Sequence, residues 1–183
     1  QLKDFARVKF AIKTGANDFF FVTDVTDNVS KKELSQYGIS DPEKQQLRLV
    51  ESGDGGRYVI ESIYLKPLVK STRDITSLVI DESVTKFRVL MVSGDKKSMA
   101  GKHVLKYIRA GETQTFGTGP RAGVPAKKET CVSRNPWYAL DKQNKGAFLW
   151  FVLITDTHAV AHNPEGFISD HRFHNIEPLK DTN

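Results

Sequence analysis

Ile12-Lys13-Thr14-Gly15-Ala16-Asn17-Asp18-Phe19-Phe20-Phe21 sets a lysine, a glycine turn and a short amide side chain directly against three consecutive phenylalanines. A polar loop joined to a core segment is how a rigid scaffold carries a binding loop. The polar atoms of Lys13, Thr14 and Asn17 suit phosphate oxygens or base edges. A plain turn between two strands fits the same residues, so the local sequence leaves both readings open. Phe5 to Ile12 reads as a strand entering the Gly15 turn, and Phe19 to Thr23 as its return strand.

The surrounding chain has 183 residues and 39% apolar content, enough for a buried core in one domain or a domain with an appended lobe. A formal charge of +5 and a pI near 9.2 favour a polyanion or an acidic surface as partner, but 22 acids against 27 bases is no histone-like excess. Cys131 is the single cysteine. It excludes an internal disulfide and a thiolate cluster for zinc, which fits a reducing compartment, the cytoplasm. The longest apolar run, Ala147 to Ile154, is less than half of the roughly 20 residues a membrane-spanning helix requires, so no membrane partner is expected. The chain opens Gln1-Leu2-Lys3-Asp4-Phe5, without a secretory pattern or an initiator methionine, and is expected to be part of a longer protein.

Along the chain, Ser30-Lys31-Lys32-Glu33 has capping-box spacing and predicts a short helix over Lys31 to Tyr37, with Gly38 at its stop. Gln46 to Ser52 and Arg57 to Ser62 flank Gly53-Asp54-Gly55-Gly56 and read as a hairpin, since a phosphate cradle would need a helix after the glycines. Pro67 limits helix between Ile63 and Val69, and the chain then enters the basic loop Lys70-Ser71-Thr72-Arg73-Asp74-Ile75. Phe87 to Val92 reads as a buried strand, and Gly101 to Ala110 as a short helix with Gly111 beyond its end. From Glu112 to Cys131 no apolar period is visible, and so long a loop is often functional. Leu149 to Ile154, His158 to His162 and Phe167 to Ile176 complete a three-stranded meander. The expected fold is α+β: a twisted, largely antiparallel sheet with short helices and long loops.

Catalytic chemistry finds little support. Asn135-Pro136-Trp137-Tyr138 resembles the Asn-Pro-Pro-Tyr loop of amino-group methyltransferases, but Trp137 replaces the second proline and no glycine-rich cofactor loop lies upstream. Trp137 then reads as a core residue beside a turn. His158 and His162 on a strand lie about 13 Å apart and cannot share a metal ion, and His171 and His174 fall on opposite faces of the last strand.

The order of the pieces is familiar. The Ile12 to Phe20 segment, a short helix, Leu65 to Ile75, Arg134-Asn135-Pro136-Trp137-Tyr138-Ala139-Leu140 and a strand ending Arg172-Phe173-His174-Asn175-Ile176 together resemble the C-terminal target-recognition region of N6-adenine DNA methyltransferases. The likeness is to the Taq-type and type IIG restriction-modification enzymes and, more distantly, to type I specificity subunits, and it covers nearly the whole chain.

The resemblance implies that residues 1–183 form a single target-recognition domain that reads duplex DNA from the major groove and helps to present a flipped adenine. The catalytic domain, with its S-adenosylmethionine, would lie elsewhere in the same parent chain, so this chain alone would hold no cofactor and neither methylate nor cut. Phe19 and Trp137 would be core anchors, and sequence choice would reside in the loops from Gly111 to Ser133 and Ser169 to Arg172. The expected DNA-binding residues are Lys13, Thr14, Asn17, Lys70, Ser71, Arg73, Arg121, Arg134, Ser169, His171 and Arg172. Among them Arg121, Arg134, Arg172 and Asn17 suit bases, and Lys13, Lys70, Ser71 and Arg73 suit phosphate. The alternative from another class is a protein-interaction or assembly domain that touches no nucleic acid.

Overall fold

The structure, a computed structural model, describes residues 1–75, 77–81, 85–143, 145–152 and 160–179. Its strands and helices are, in order, β1 (Ala6–Phe10), α1 (Asn17–Phe20), β2 (Phe21–Asp24), α2 (Lys31–Gln36), α3 (Pro42–Gln45), β3 (Leu47–Glu51), β4 (Arg57–Glu61), β5 (Leu65–Val69), β6 (Phe87–Leu90), α4 (His103–Thr113), α5 (Glu129–Val132), β7 (Phe148–Phe151), β8 (Val160–His162), β9 (Ile168–Ser169) and β10 (Phe173–Pro178). The fold is α+β, with mixed antiparallel and parallel pairing and short helices. Two compact units interleave in sequence: Gln1–Lys13, Pro67–Thr85 and Lys142–Asn183 form the first, Thr14–Lys66 and Lys86–Asp141 the second.

In the first unit, β1-β10-β7-β8 form an antiparallel sheet. Its inner face packs Leu149, Ala161 and Phe173 against Ala11, Val69, Ile80 and Phe167. The register puts Val8, Ile176, Phe148 and His162 in one cross-strand row and Phe10, His174, Trp150 and Val160 in the next. The expected final strand from Phe167 to Ile176 is broken. The Asp170 carboxylate accepts the Arg172 amide (3.2 Å) and the Asp170 carbonyl accepts Phe173 N–H (3.0 Å), so a turn separates β9 from β10. β9 instead pairs in parallel with β5, Leu68 with Ile168 and Val69 with Ser169, and Ile12 bridges Asp170, also in parallel. The expected strand residues 153–154 and 158–159 lie outside the described residues.

In the second unit, β4-β3-β2-β6 run antiparallel. The hairpin across Gly53-Asp54-Gly55-Gly56 forms as its flanks predict. Ser30 Oγ caps α2 by accepting the Glu33 amide (3.2 Å), and Gly38, at φ +79°, closes it with the paired Gly38-to-Ser35 and Ile39-to-Leu34 bonds of a Schellman ending. Glu33 does not reach back to complete a capping box; its carboxylate meets Arg57.

Two local readings are corrected. Phe19 to Thr23 is not a return strand of β1: Phe19 and Phe20 belong to the single turn α1, and the strand begins only at Phe21, as β2, which pairs with β3 and β6. The α1 turn buries both rings, with the amides of Phe19 and Phe20 sharing the Ala16 carbonyl, and β1 takes β10 as its partner. Gly111 does not lie beyond a helix end. α4 continues to Thr113, and a Cβ at Gly111 would stand 2.5 Å from Phe19 Cε2 and 2.7 Å from Trp137 Cη2, so glycine is there to admit two rings. At its other end α4 has no side-chain cap of its own. Glu61 at the end of β4 supplies one, its two carboxylate oxygens accepting His103 N–H (2.6 Å) and Val104 N–H (3.0 Å).

Candidate nucleic-acid interface

The first unit gathers one cationic edge. Ile12, Val69 and Ser169-Asp170 are the ends of three neighbouring parallel segments, and the chain leaves them as Lys13, Lys70-Ser71 and His171-Arg172. Ile12 N–H donates to the Ser169 carbonyl and Asp170 N–H to the Val69 carbonyl, both at 3.0 Å, so the three exits share a register. Lys13, Lys70, His171 and Arg172 are exposed, Ser71 is half-buried, and Arg73 is exposed one turn along the same loop.

The residue that organises this edge is Asp170, which sequence reasoning passed over. It is 2% exposed, and besides the Arg172 amide its carboxylate meets His171 Nδ1 at 3.0 Å and the Arg172 guanidinium at 3.7 Å. The Asp170 carboxylate thus sets a buried negative charge beside an exposed guanidinium, whose Nε lies beyond hydrogen-bond distance at 3.7 Å. The only sequence signal was an acid flanked by Ser169 and His171, and nothing local said that it was buried.

The second unit assembles the other half of the expected set. Gly15, at φ +78°, sits so close to α5 that a Cβ there would lie 2.5 Å from Thr130 Cβ. Thr14 is fully buried; its hydroxyl donates to Asn17 Oδ1 and accepts the Ala16 amide (3.1 Å), while its carbonyl faces Cys131 Sγ at 3.7 Å. The Arg134 guanidinium lies 5.8 Å from the centre of the Phe20 ring and 3.7 Å from Cys131 Sγ. Burial pushes the Cys131 thiol pKa up, against the opposing pull of Arg134, and keeps the sulfur a neutral packing group. Asn17 is exposed at the mouth of the loop, and Arg121 is exposed on a single turn, Gly119–Arg121, where its carbonyl accepts Lys128 Nζ at 2.7 Å.

Beneath the loop lies an aromatic nest. Phe19 stacks on Tyr107 (centroids 4.6 Å apart, planes at 5°) and meets Phe116, Phe20 and Trp137 edge-on or tilted. The Tyr107 hydroxyl donates to the Phe19 carbonyl (2.7 Å) and lies 2.7 Å from Ser52 Oγ, and burial drives its pKa well up. The Glu112 carboxylate accepts Trp137 Nε1–H at 3.1 Å and also pairs with Lys96. Phe19 is thus the core anchor its sequence suggests, whereas Trp137 is half-buried and presents part of its ring outward.

Two expected contacts are corrected. Thr14 and Ser169 are both fully buried, and Ser169 Oγ donates to Asn175 Oδ1 at 2.8 Å, so both hydroxyls serve internal bonds and neither faces a ligand. The stretch from Gly111 to Ser133 is also less open than its composition suggests: Phe116 is buried, bridged to Gly123, and α5 forms within it. His171 lies within the Asp170 turn and His174 on β10, so the two do not share one continuous strand. His158, half of the histidine pair dismissed as a metal site, lies outside the described residues. Among the described residues no group of three His, Cys, Asp or Glu could hold a metal ion, and no helix is long and apolar enough to cross a membrane. The chain matches no family model and no curated protein sequence.

Proposed function

We propose that this chain binds duplex DNA sequence-specifically, as the target-recognition domain of an N6-adenine DNA methyltransferase or type IIG restriction-modification enzyme. The observation that carries the reading is the edge where three parallel segments release Lys13, Lys70 and His171-Arg172 together, around buried Asp170. Long cationic side chains presented in register along one edge suit the evenly spaced phosphates of a duplex, and the fork of an arginine suits a base edge. Support also comes from the way Gly15, Thr14 and Phe20 pack against Thr130, Cys131 and Arg134, which joins two of the segments that carry the family resemblance. Methyl transfer would belong to a separate catalytic domain of the same parent chain, which would hold S-adenosylmethionine.

Duplex binding measured across a salt series tests the reading. Affinity should fall steeply as salt rises, and absence of binding at low salt would overturn it. Within a panel of sequences, Arg172→Ala should relax choice at one base pair at about 1–3 kcal/mol, while Lys70→Ala should weaken every sequence alike. A uniform loss from Arg172→Ala would show that it holds phosphate instead.

One observation favours a protein-interaction domain as the second reading. Phe10 is 82% exposed and Val8 43%, on the outer face of the first unit's sheet, and their cross-strand rows contain no carboxylate and much apolar surface. That reading predicts association insensitive to salt.

A further inference from the structure

The register of the first unit's antiparallel sheet fixes which way β1 turns its backbone. Leu179 N–H donates to the Phe5 carbonyl at 2.8 Å, and the pairing runs on from Ala6 opposite Pro178 to Phe10 opposite His174. Alternate residues of an antiparallel strand send their N–H and C=O groups to the same side. Phe5, Arg7 and Lys9 therefore bond to β10, and the peptide groups of Val8 and Phe10 point the other way. Pro178, with no N–H to give, falls where the pairing asks for none. β1 is the outermost strand of this sheet, and among the described residues nothing bonds to the Val8 and Phe10 peptide groups. Both side chains are exposed, and the register from Ala6 to Phe10 contains neither a bulge nor a proline of β1. An edge of this kind is a template for another strand. It ends at Ile12, which turns to bridge Asp170.

The two faces of the edge differ in chemistry. Val8 and Phe10 lie on the apolar outer face, beside Ile176 and His174 of β10. Arg7 and Lys9 lie on the opposite face, across from Glu177 and Asn175. Glu177 is already engaged by Lys9 Nζ at 3.1 Å, and among the described residues exposed Arg7 makes no ion pair. Side chains facing one another on neighbouring strands attract when their charges are opposite and repel when they are alike. A second copy paired through this edge about Val8 would set Arg7 against Lys9 of the other copy. The bases that keep copies of this chain apart therefore favour a strand carrying acids at those positions.

We propose that β1 takes up, as an added antiparallel strand, an extended segment of another protein in which acidic and apolar residues alternate. Its apolar side chains continue the outer face beside Val8 and Phe10, and its carboxylates face Arg7 and Lys9. The amides of its apolar residues donate to the Val8 and Phe10 carbonyls, and its carbonyls accept the Val8 and Phe10 amides. The ladder bonds give affinity, and the alternation of charge gives the choice of partner. The site shares no residue with the cationic edge, so the proposal is independent of the DNA reading.

The test titrates the end-blocked peptide Val-Glu-Val-Glu-Val-Glu-Val into the ¹⁵N-labelled chain. The Val8 and Phe10 amide resonances should shift, and both amides should gain protection from hydrogen exchange. The same peptide methylated on its valine nitrogens should not bind, whereas methylation on its glutamate nitrogens, which point away from β1, should weaken it less than about threefold. A peptide with lysine in place of glutamate should bind about tenfold more weakly, and Arg7→Glu, at an exposed position, should reverse that order. Val8→Pro removes an outward N–H without touching the bonds to β10, and should abolish binding. Proline is tolerated on an edge strand whose N–H side is open, and an unchanged melting temperature reports that the variant is folded. Where Val8→Pro lowers the melting temperature, the two methylated peptides and Arg7→Glu decide the matter on the unperturbed fold. No shift at Val8 and Phe10, or equal binding of the two methylated peptides, overturns the proposal. So does binding that leaves both amides unprotected, which would place the peptide on the outer face instead of the edge.

Discussion

The two units place their aromatic residues in opposite ways. In the second, Phe19, Tyr107, Phe116, Tyr58 and Trp137 close on one another beneath the Gly15 loop, and all five tyrosines of the chain belong to this unit. In the first, Phe10, Phe148 and Trp150 lie with His162 and His174 on the outer face of a sheet, and Phe10 is largely exposed. Aromatic content alone therefore does not mark a core. What distinguishes the units is a crossing helix: α4 brings Tyr107 down onto Phe19, whereas the described residues bring no helix onto the outer rows of β1-β10-β7-β8. The difference can be tested by substitutions on each side.

Phe19→Ala should have the largest effect, a loss of about 3–5 kcal/mol for a fully buried ring that four other rings surround. Denaturant titrations followed by Trp137 emission in a Trp150→Phe background should show it, with the reciprocal Trp137→Phe background reporting the first unit. A loss below about 1 kcal/mol would mean that the nest is loosely packed. Gly111→Ala should follow. Replacing a mid-helix glycine with alanine ordinarily gains about 1 kcal/mol, but the rings 2.5 and 2.7 Å from the new methyl must move, at about 1–3 kcal/mol for overpacking, and the net sign should be destabilising. A stabilised variant would show that Phe19 and Trp137 can yield.

How far these features could be read from the sequence differs by scale. The capping serine Ser30, the Gly53 to Gly56 hairpin and the strand at Phe87 are set by neighbours within a few residues, and they form where their patterns place them. Gly111 carries the local mark of a helix end, and only the approach of Phe19 and Trp137 from distant chain positions shows why it lies inside one. The Glu61 cap of α4 is likewise 42 residues from the amide it serves and leaves no local spacing to find. At the candidate interface the exposed cations Lys13, Lys70 and Arg172 were visible as residue types. Their gathering depends on a parallel register between β5, β9 and Ile12, which a residue-by-residue reading of alternation does not contain. Thr14 and Ser169 have the composition of ligand contacts but are buried, and burial of a small hydroxyl residue is decided by what packs over it.

Alkaline pH should separate the units more gently. The pKa values of Tyr58, Tyr107 and Tyr138 are all raised, in each case first by burial, with hydrogen bonding and the charge of Asp54 adding to the rise at Tyr58. A phenol whose folded pKa lies above its unfolded value of about 10 gives stability that is complete below pH 10 and is lost as pH rises, because the unfolded chain ionises first. The second unit should therefore weaken above about pH 10, while the first, without tyrosine, gains no such slope. Tyr107→Phe should reduce that slope. At neutral pH it should lose about 1–3 kcal/mol, since the buried Phe19 carbonyl loses its donor. Equal alkaline loss from both units would tie their unfolding together.

Phe10→Ser should have the smallest effect on stability, within about 0.5 kcal/mol, because a ring that is 82% exposed has little apolar area left to lose on unfolding. Its contacts are few: it tilts against His174 at 5.2 Å, its partner across β1 and β10. The contrast with Phe19→Ala is then a contrast of surroundings rather than of residue type. The substitution also addresses the second functional reading. If the outer sheet face meets another protein, Phe10→Ser should leave the melting temperature unchanged and lower salt-insensitive association measured by light scattering. Unaltered association would leave the Lys70 and Arg172 edge as the surface that matters. A loss above about 2 kcal/mol would show that something in the chain covers this face in solution, and the division between an enclosed nest and an open sheet would no longer hold.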